Sequence, residues 1–465
     1  MKIARNILET IGNTPLIELE KWVDPATMAR VLLKAEHLEP SGSLKDRMAL
    51  KIINDAEENG TLKPGGTVVE ATAGNTGLAL AMVCAVKGYK SIFVMPDKFS
   101  VEKINMLKAY GSEIITTPTA VPDEHPDSWK EVAKRVVSQT PGALLVNQFY
   151  NEVNVMAHYE STGPEIWEQT DGKIDVFISG AGSGGTISGA GRYLKEKAKE
   201  AGRDIKIILM DPVGSVYYDA FYNTGKKQKV GWKLEGIGND FIPGALDLSV
   251  VDEVRKVSDK TAFFYARKLA REQGLLVGDT SGAGVGLSLE IAREIGPGKV
   301  IVCFLCDSGN RYVSKLYNDE WMKSNGFGTL GLELREGSVS DILKFKGSDV
   351  QFAGAEDSIS NVVKIMSEKG ISQMPLSGNT SGSDLRMVHE SDIMEALLSG
   401  ESRPTDQVGS LAKSLEGKVR LQDDIAMVEP LLDANNVAVV VGDNGAICGI
   451  ITRIDVVRFL AESVK

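Results

Sequence analysis

Four clusters of residues in this chain have types and spacing that could do chemistry together. The first is Ser41-Gly42-Ser43-Leu44-Lys45-Asp46-Arg47. Ser43 reads as a helix N-cap, and Asp46 three residues on completes a capping-box-like pattern. Leu44, Met48 and Ile52 repeat at four-residue spacing, so the helix has a packed face. Lys45 then falls in the first turn, where the positive end of the helix dipole opposes an ammonium. It is either a tolerated surface charge, the simpler reading of this segment alone, or an amine of lowered pKa ready for covalent carbonyl chemistry.

The other clusters lie where a strand is expected to hand over to a helix. Glu70-Ala71-Thr72-Ala73-Gly74-Asn75-Thr76-Gly77 offers backbone N–H groups and hydroxyls that could hold a carboxylate, although an ordinary tight turn is as good a reading. Ser179-Gly180-Ala181-Gly182-Ser183-Gly184-Gly185-Thr186-Ile187-Ser188-Gly189 lets the backbone approach a phosphate at a helix N-terminus. It contains no Gly-Lys-Ser/Thr, which excludes a nucleotide P-loop, and its spacing does not fit the dinucleotide fingerprint. Leu305-Cys306-Asp307-Ser308-Gly309-Asn310-Arg311-Tyr312 presents the neutral hydroxyl of Ser308, which would serve equally as a helix N-cap. Cys303 and Cys306 mimic a C-x-x-C pair, but side chains three apart on one strand point to opposite faces. His37, His125, His158 and His389 are scattered without zinc spacing, so no metal site is expected, and His158 is expected to pack on a helix.

Alternating elements must position these clusters. Strands are expected at Val31–Lys34, Thr67–Glu70, Ser91–Met95, Glu113–Thr117, Asp175–Ser179, Lys206–Met210 and Lys299–Leu305. Between them, Leu44–Glu58, Leu78–Lys87, Val101–Tyr110 and Ala262–Gln273 read as helices. This is an α/β pattern with mostly parallel sheets and helices on both faces, in which ligands sit at the carboxyl ends of the strands. Near Lys323–Gly337 the rhythm changes, and Ser324-Asn325-Gly326-Phe327-Gly328 reads as a linker. A weak repeat follows. Helical Ile359–Lys369 leads to the strand-like Ile371–Leu376 and a helix opened near Asp392. Helical Ile425–Asn435, which Pro430 should kink, leads to Val437–Val441 and a helix opened near Asp455, 63 residues later. Two such units, each too small for its own core, should pack as a pair. The expected organisation is a catalytic part over 1–325, a linker over 326–340 and a paired module over 341–465, its halves about 341–400 and 405–465.

Bulk properties exclude several classes of function. A chain of 465 residues should hold two or three domains, and 43% apolar with 25% charged residues is a globular mix. The net charge of −11 disfavours nucleic acid and anionic membranes as partners. There is no apolar run of membrane-spanning length, and Met1–Gly12 does not read as a signal peptide. Four irregularly spaced cysteines fit a reduced, cytoplasmic protein.

Taken together, the clusters resemble the fold-type II pyridoxal-phosphate enzymes, the tryptophan synthase β family, over about residues 3–325. Matching segments are Ile11-Gly12-Asn13-Thr14-Pro15-Leu16, the Lys45 segment, Ala73-Gly74-Asn75-Thr76-Gly77, Gly184-Gly185-Thr186 and Glu235-Gly236-Ile237-Gly238-Asn239-Asp240-Phe241. The last is most similar to the cystathionine β-synthases. The C-terminal part resembles paired CBS domains, a Bateman module. The resemblance implies that Lys45 holds pyridoxal 5'-phosphate covalently and moves the substrate proton. It implies that Asn75 bonds the cofactor's ring oxygen, that Gly182, Ser183, Gly184, Gly185 and Thr186 cradle its phosphate, and that Ser308 bonds its ring nitrogen. Thr72, Ala73, Thr76 and Gln148 would hold the substrate carboxylate. A neutral hydroxyl at the ring nitrogen favours loss of the substrate's β-substituent over transamination. The implied reaction joins L-serine to L-homocysteine, giving L-cystathionine, in a homodimer or larger homo-oligomer.

The chain also departs from the family. Phe149 and Asn239 stand where eukaryotic members carry tyrosines, which makes O-acetylserine an alternative first substrate, and cysteine synthesis an alternative outcome. Ala73 replaces a serine often found in the carboxylate loop. Some animal members carry an N-terminal haem-binding extension. Here the family-like region begins almost at Ile3, so no haem is expected. In the C-terminal module Thr452-Arg453-Ile454-Asp455 matches a pattern that holds an adenosine ribose, and is equally a capping box. His389 takes the threonine's place in the first repeat, so one ligand site is expected rather than two. Ser372 stands where S-adenosylmethionine-responsive members have an aspartate, so an adenine nucleotide stands beside S-adenosylmethionine as the ligand. A ligand sensor with a retired catalytic half is the alternative, but Lys45, the phosphate loop and Ser308 are all intact.

Overall fold

The structure is a computed structural model that describes every residue except 1–2, 73, 98–100, 120, 122–124, 226–230, 328–337, 348–349, 378–384, 416–417, 422, 424, 426–427, 429–430, 433–436, 443–444 and 463–465. The chain divides into two compact units, Met1–Thr329 and Leu330–Lys465.

Among its described residues the first unit contains ten strands: β1 (Leu16–Glu18), β2 (Arg30–Lys34), β3 (Thr67–Ala71), β4 (Lys90–Pro96), β5 (Glu113–Thr117), β6 (Leu144–Leu145), β7 (Val176–Gly180), β8 (Lys206–Pro212), β9 (Glu253–Val257) and β10 (Val300–Phe304). They form two sheets, ordered β5-β4-β3-β6 and β1-β2-β10-β7-β8-β9. Every pairing is parallel except β1 with β2. Parallel strands covered on both faces need continuous apolar runs, and β10, Val-Ile-Val-Cys-Phe, is buried throughout. On β3, Val68 packs into a core with helices Lys45–Glu58 and Asn75–Lys87. Val69 faces the other way, onto Val132 and Ala133 of helix Trp129–Gln139.

The elements expected from the sequence are present, with β1, β6 and β9 in addition. Two local readings need correction. Ser43 is not the N-cap of its helix. The helix starts at Lys45 with Leu44 at the cap and no side-chain cap bond. Asp46 instead accepts hydrogen bonds from Ser41, from its backbone N at 2.7 Å and from its hydroxyl. Gly42, at φ +83°, turns the chain between them. The helix expected at Ala262–Gln273 begins earlier, at Asp259, with Ser258 accepting from Thr261 N at 3.1 Å. It loosens into a π turn over Leu269–Gln273 and stops at Gly274.

The second unit carries the repeat. Helix Ile359–Lys369, β11 (Gln373–Pro375), β12 (Arg386–His389), helix Glu390–Ser399 and β13 (Lys413–Ser414) form the first copy. The second has β14 (Val419–Arg420), β15 (Val437–Val441), β16 (Ile447–Thr452) and helix Arg453–Glu462. Contrary to the expectation that each unit is too small for a core of its own, each copy has one, and Met387 of β12 packs with Val437, Val439 and Val441 of β15 to join them as a pair. Most of the expected linker lies outside the described residues. Its end does not: helix Val339–Lys346 opens there on a reciprocal Ser338/Asp341 capping box and packs Val339, Ile342 and Leu343 into the second copy's core. Pro430 and most of the helix expected at Ile425–Asn435 also lie outside the described residues. Among the described residues no helix is long and apolar enough to cross a membrane, and no cluster of His, Cys, Asp and Glu could hold a metal.

Candidate active site

One cavity of about 980 Å³ in the first unit collects most of the residues expected to act. Lys45, Thr72, Asn75, Thr76 and Gln148 line it, together with Gly182, Ser183, Gly184 and Thr186 of the glycine-rich loop. Ala73 lies outside the described residues.

Loss of water pulls the Lys45 amine below the ordinary lysine range, while nearby Cys306 and Asp307 oppose that pull. The dipole at the start of its helix acts in the same direction as the lost water. The same burial pushes the Cys306 thiol well up and Asp307 upward, working against the ionised form of each.

Several helices begin at the cavity without a side-chain cap, the Lys45 helix among them, and two of these follow the expected carboxylate and phosphate loops. Gly74 precedes Asn75–Lys87 and Gly184 precedes Gly185–Glu200, and neither can supply a side-chain acceptor. Their first-turn N–H groups are therefore reserved for another acceptor, the arrangement that binds anions. Gly184 has to be glycine: its φ is +90°, and a Cβ there would lie 2.5 Å from the Leu246 side chain. Gly182 and Gly185 are held by close approach as well. A Cβ on Gly182 would strike the Gly236 carbonyl, and one on Gly185 would strike Asn154. Gly185 does not line the cavity itself; it opens the helix behind it.

Side chains distant in sequence brace both loops. Thr76 Oγ1 donates to Gln148 Oε1 at 2.7 Å, tying the two halves of the expected carboxylate subsite. Asn154 Nδ2 donates to Ser183 Oγ and to the Gln148 carbonyl, both at 2.9 Å. Thr186 Oγ1 meets His158 Nε2 at 3.1 Å, and His158 Nδ1 meets Thr162 Oγ1 at 2.9 Å. Burial keeps that imidazole neutral, well below the ordinary histidine range. Asn239 lines the cavity, and its amide is committed: Nδ2 donates to the Gly182 carbonyl at 2.7 Å and to Tyr217 Oη at 2.6 Å. Phe149 also lines the cavity and packs edge-on against Phe241 with centroids 5.5 Å apart.

Asn75 is held at both ends. Its Nδ2 donates to Asp307 Oδ2 at 2.7 Å, and its Oδ1 accepts from Arg311. Ser308 takes the N-cap role, the other reading of its segment. It does not line the cavity, and its Oγ caps the short turn Gly309–Tyr312, accepting from Asn310 N at 3.4 Å. Its hydroxyl hydrogen remains available, because accepting that bond does not use it.

The residues present fit a phosphate-bearing, carbonyl-bearing cofactor. Two uncapped helix starts flank a lysine of lowered pKa, and buried Ser43 Oγ and Asp307 Oδ1 beside it have no hydrogen-bond partner. Unmet buried polar atoms are costly unless something completes them.

The family described as pyridoxal-phosphate dependent enzyme matches residues 7–307, most of the chain. The chain belongs to the pyridoxal-phosphate-dependent enzymes. The CBS domain matches twice, at residues 339–399 and 418–462. Cystathionine beta-synthase of Mus musculus is 38% identical over 95% of this chain and 78% of its own length. Cystathionine beta-synthase of Dictyostelium discoideum is 34% identical over 99% of this chain and 93% of its own. Cysteine synthase 1 of Neurospora crassa is 42% identical but covers 69% of this chain and 85% of its own. Among solved structures, O-ureido-L-serine synthase is similar with a TM-score of 0.62 and 33% identity, over 72% of this chain and 98% of that one.

In the second unit, Asp455 Oδ2 accepts from Thr452 N at 2.8 Å and from Thr452 Oγ1 at 2.5 Å, which is one half of the capping box, the carboxylate reaching back to the threonine. Lys346 Nζ adds a third bond at 2.5 Å, which the local sequence pattern gave no sign of. The first repeat has a matching pair, Lys413 Nζ to Asp392 Oδ1 at 2.6 Å. Sequence reasoning also missed Glu70, Asn154, Asp307 and Arg311 as supports. Asn75 and Asp307 are 232 positions apart, so no local signal could have paired them.

Proposed function

We propose that this enzyme carries out a pyridoxal-phosphate-dependent β-replacement, condensing L-serine with L-homocysteine to L-cystathionine, under regulation by its CBS pair. The observation that carries the reading is the single cavity in which a lysine of lowered pKa lies between two uncapped helix starts. The span of the relatives favours homocysteine over sulfide. The Mus musculus and Dictyostelium discoideum proteins named cystathionine beta-synthase match 95% and 99% of this chain, whereas the Neurospora cysteine synthase covers 69%.

Gly182 to Thr186 would hold the cofactor's phosphate, Asn75 its ring oxygen and Ser308, through its free O–H, its ring nitrogen. When bound, that group supplies the electron sink that makes the substrate Cα–H acidic. Lys45, whose amine burial turns toward the neutral form, would take the Cα proton. It would then pass that proton to the departing β-hydroxyl, which leaves as water, take the thiol's proton as sulfur bonds to Cβ, and deliver it to Cα. Thr72, Thr76 and Gln148, with the loop at position 73, would orient the substrate carboxylate and so fix which Cα bond faces Lys45. Thr452 and Asp455 would hold the ribose of an adenosyl ligand. Exposed Ile3, Ile7, Leu38 and Val313 on the first unit fit a homodimer, and four free cysteines fit the reducing cytoplasm.

O-acetylserine is the second reading for the first substrate. Phe149 carries no hydroxyl, and the Asn239 amide is spent on Gly182 and Tyr217, so neither helps a hydroxyl leave. Acetate leaves without such help. The test is incubation of the purified protein with homocysteine and either L-serine or O-acetylserine, with cystathionine measured by mass spectrometry. Turnover of serine at least as fast as O-acetylserine is the expected result. Reaction with O-acetylserine alone would overturn the named substrate.

A further inference from the structure

A fully buried carboxylate sits where the β3–β6 ladder ends. The two strands run parallel, with Val69 opposite Leu145, and the last backbone bond between them runs from Val146 N to the Val69 carbonyl at 3.1 Å. The chain then turns away at Asn147, whose φ is +51°. That turn takes the next two N–H groups off the ladder, and an unmet buried N–H is costly. Glu70 of β3, 2% exposed, receives both: Asn147 N donates to Oε2 at 2.7 Å and Gln148 N to Oε1 at 3.2 Å. No lysine, arginine or histidine among the described residues forms an ion pair with Glu70 at this site. Burial without a countercharge pushes its pKa up to about 7, against the pull of the Gln148 and Asn147 N–H groups. Putting such a group in a core is expensive, and an apolar residue would fill a strand position more cheaply.

The places this clamp reaches explain it. Along the chain, Glu70 leads directly into Thr72 and the loop to Thr76. Through Gln148 it reaches Thr76 by the side-chain bond and Asn154 by the carbonyl, and Asn154 continues to Ser183 in the phosphate loop. A bidentate acceptor on two successive peptides fixes the direction of both, and with it the direction in which Gln148 leaves the backbone.

We propose that Glu70 is the positioning residue of the substrate-carboxylate subsite, holding Gln148 in register with the 72–76 loop by clamping the Asn147 and Gln148 N–H groups. The proposal rests on the reading that Thr72, Thr76 and Gln148 take an amino-acid carboxylate. It is independent of the leaving group and of the thiol. Removing the clamp leaves the turn free to rotate Gln148 away from Thr76. The amino acid then loses its carboxylate contact while the cofactor stays in place.

The test uses the full-length holoenzyme and a pair of ligands that cannot lose a β-substituent, L-alanine and ethylamine. They differ by the carboxylate alone. Dissociation constants are read from the change in the bound cofactor's absorbance, for wild type, Glu70→Gln and Glu70→Ala. In wild type L-alanine should bind far more tightly than ethylamine. In Glu70→Ala, L-alanine should weaken about tenfold or more, the scale of a lost buried hydrogen bond. Ethylamine affinity and the resting spectrum should stay within twofold of wild type. Glu70→Gln keeps the shape and one acceptor oxygen, so it should fall between the two. It also serves as the informative variant if Glu70→Ala does not fold. Unchanged L-alanine binding in Glu70→Gln overturns the proposal, as does an equal loss for both ligands, since a merely structural role would weaken both. If wild type itself fails to prefer L-alanine, the carboxylate subsite is misplaced and the proposal falls with it. Failure of the serine and homocysteine reaction, with this preference intact, leaves Glu70's role standing.

Discussion

The two candidate ligand sites of this chain treat their own hydrogen-bonding groups in opposite ways. In the first unit the helix starts after Gly74 and Gly184 carry no side-chain cap, and Ser43 Oγ and Asp307 Oδ1 are buried without partners. The helix-start N–H groups are therefore left open to a ligand in the cavity, which Asp307 also lines. In the second unit Thr452 and Asp455 satisfy each other, and Lys346 completes the carboxylate. A ligand there must compete with internal partners. The difference separates a site built for a resident cofactor from one suited to a reversible signal. A preformed site spends its binding energy on holding the ligand, while a self-satisfied one gives up part of it in exchange.

The largest effect tests whether the two sites are separable. Lys45→Ala should abolish the yellow colour of the lysine-bound cofactor and cut turnover by roughly 10²–10⁴-fold, the usual share of a general base. Calorimetric titration of the same protein with an adenosyl ligand should give an affinity within twofold of wild type. Loss of adenosyl binding on this change would break the distinction between the sites.

The sequence shows the strand-to-helix turns of the catalytic unit clearly because their chemistry is local. Strand β5 over Glu113–Thr117 and β15 over Val437–Val441 have the boundaries their apolar runs indicate. Strands β1, β6 and β9 were not legible. Two of them are very short, and β9, Glu-Val-Arg-Lys-Val, is an edge strand whose charges blur the alternation. Ser43 was misread because a capping box is a spacing rule, and Gly42 bends the backbone so that Asp46 reaches Ser41 instead. Lys45 and the glycines could be placed, but not what braces them. Glu70 looks like any polar end of a strand until the turn at Asn147 is brought against it. Lys346 sits in what composition marks as the edge of a linker, and its partner lies 109 residues further on.

A smaller effect compares two carboxylates held near the same low value in different surroundings. Glu165 is lowered to about 2 by its bonds to Arg47 and Lys34, which outweigh its burial. Asp341 is lowered to about 2 by the Ser338 backbone and Lys344 at a helix cap. In both, the ionised form is favoured in the folded state. Each therefore stabilises the fold above its ordinary value, 4.5 for Glu165 and 3.8 for Asp341, and loses that contribution as pH falls toward 2. For Glu165, with a side chain 14% exposed, the contribution is roughly 3 kcal/mol. Asp341 is 39% exposed and solvent screens it to about 1 kcal/mol or less. Urea unfolding of Glu165→Gln and Asp341→Asn at pH 7 and pH 3 checks this. Glu165→Gln should unfold at distinctly lower urea than wild type at pH 7, with the gap narrowing at pH 3. Asp341→Asn should stay close to wild type at both. Equal gaps for the two variants would remove the contrast between a buried brace and a surface cap.

The smallest effect on stability carries the most information about the second site. Lys346 and Asp455 are 32% and 9% exposed, so breaking the pair with Lys346→Met should cost no more than about 1 kcal/mol. What should change is the sign of the local field, because Asp455 loses its only cationic partner among the described residues. S-adenosylmethionine brings a positive sulfonium and an adenine nucleotide brings negative phosphate. Removing a positive charge at this spot should strengthen binding of the first and weaken binding of the second, by roughly fivefold for a unit charge at contact distance in water-like surroundings. Calorimetric titration of wild type and Lys346→Met with S-adenosylmethionine and with AMP reads both changes directly. Opposite shifts place the ligand against the Lys346–Asp455 pair and show which of the two the wild-type lysine selects against. If neither affinity moves, Lys346 is only a cap, and the ribose does not sit at Asp455.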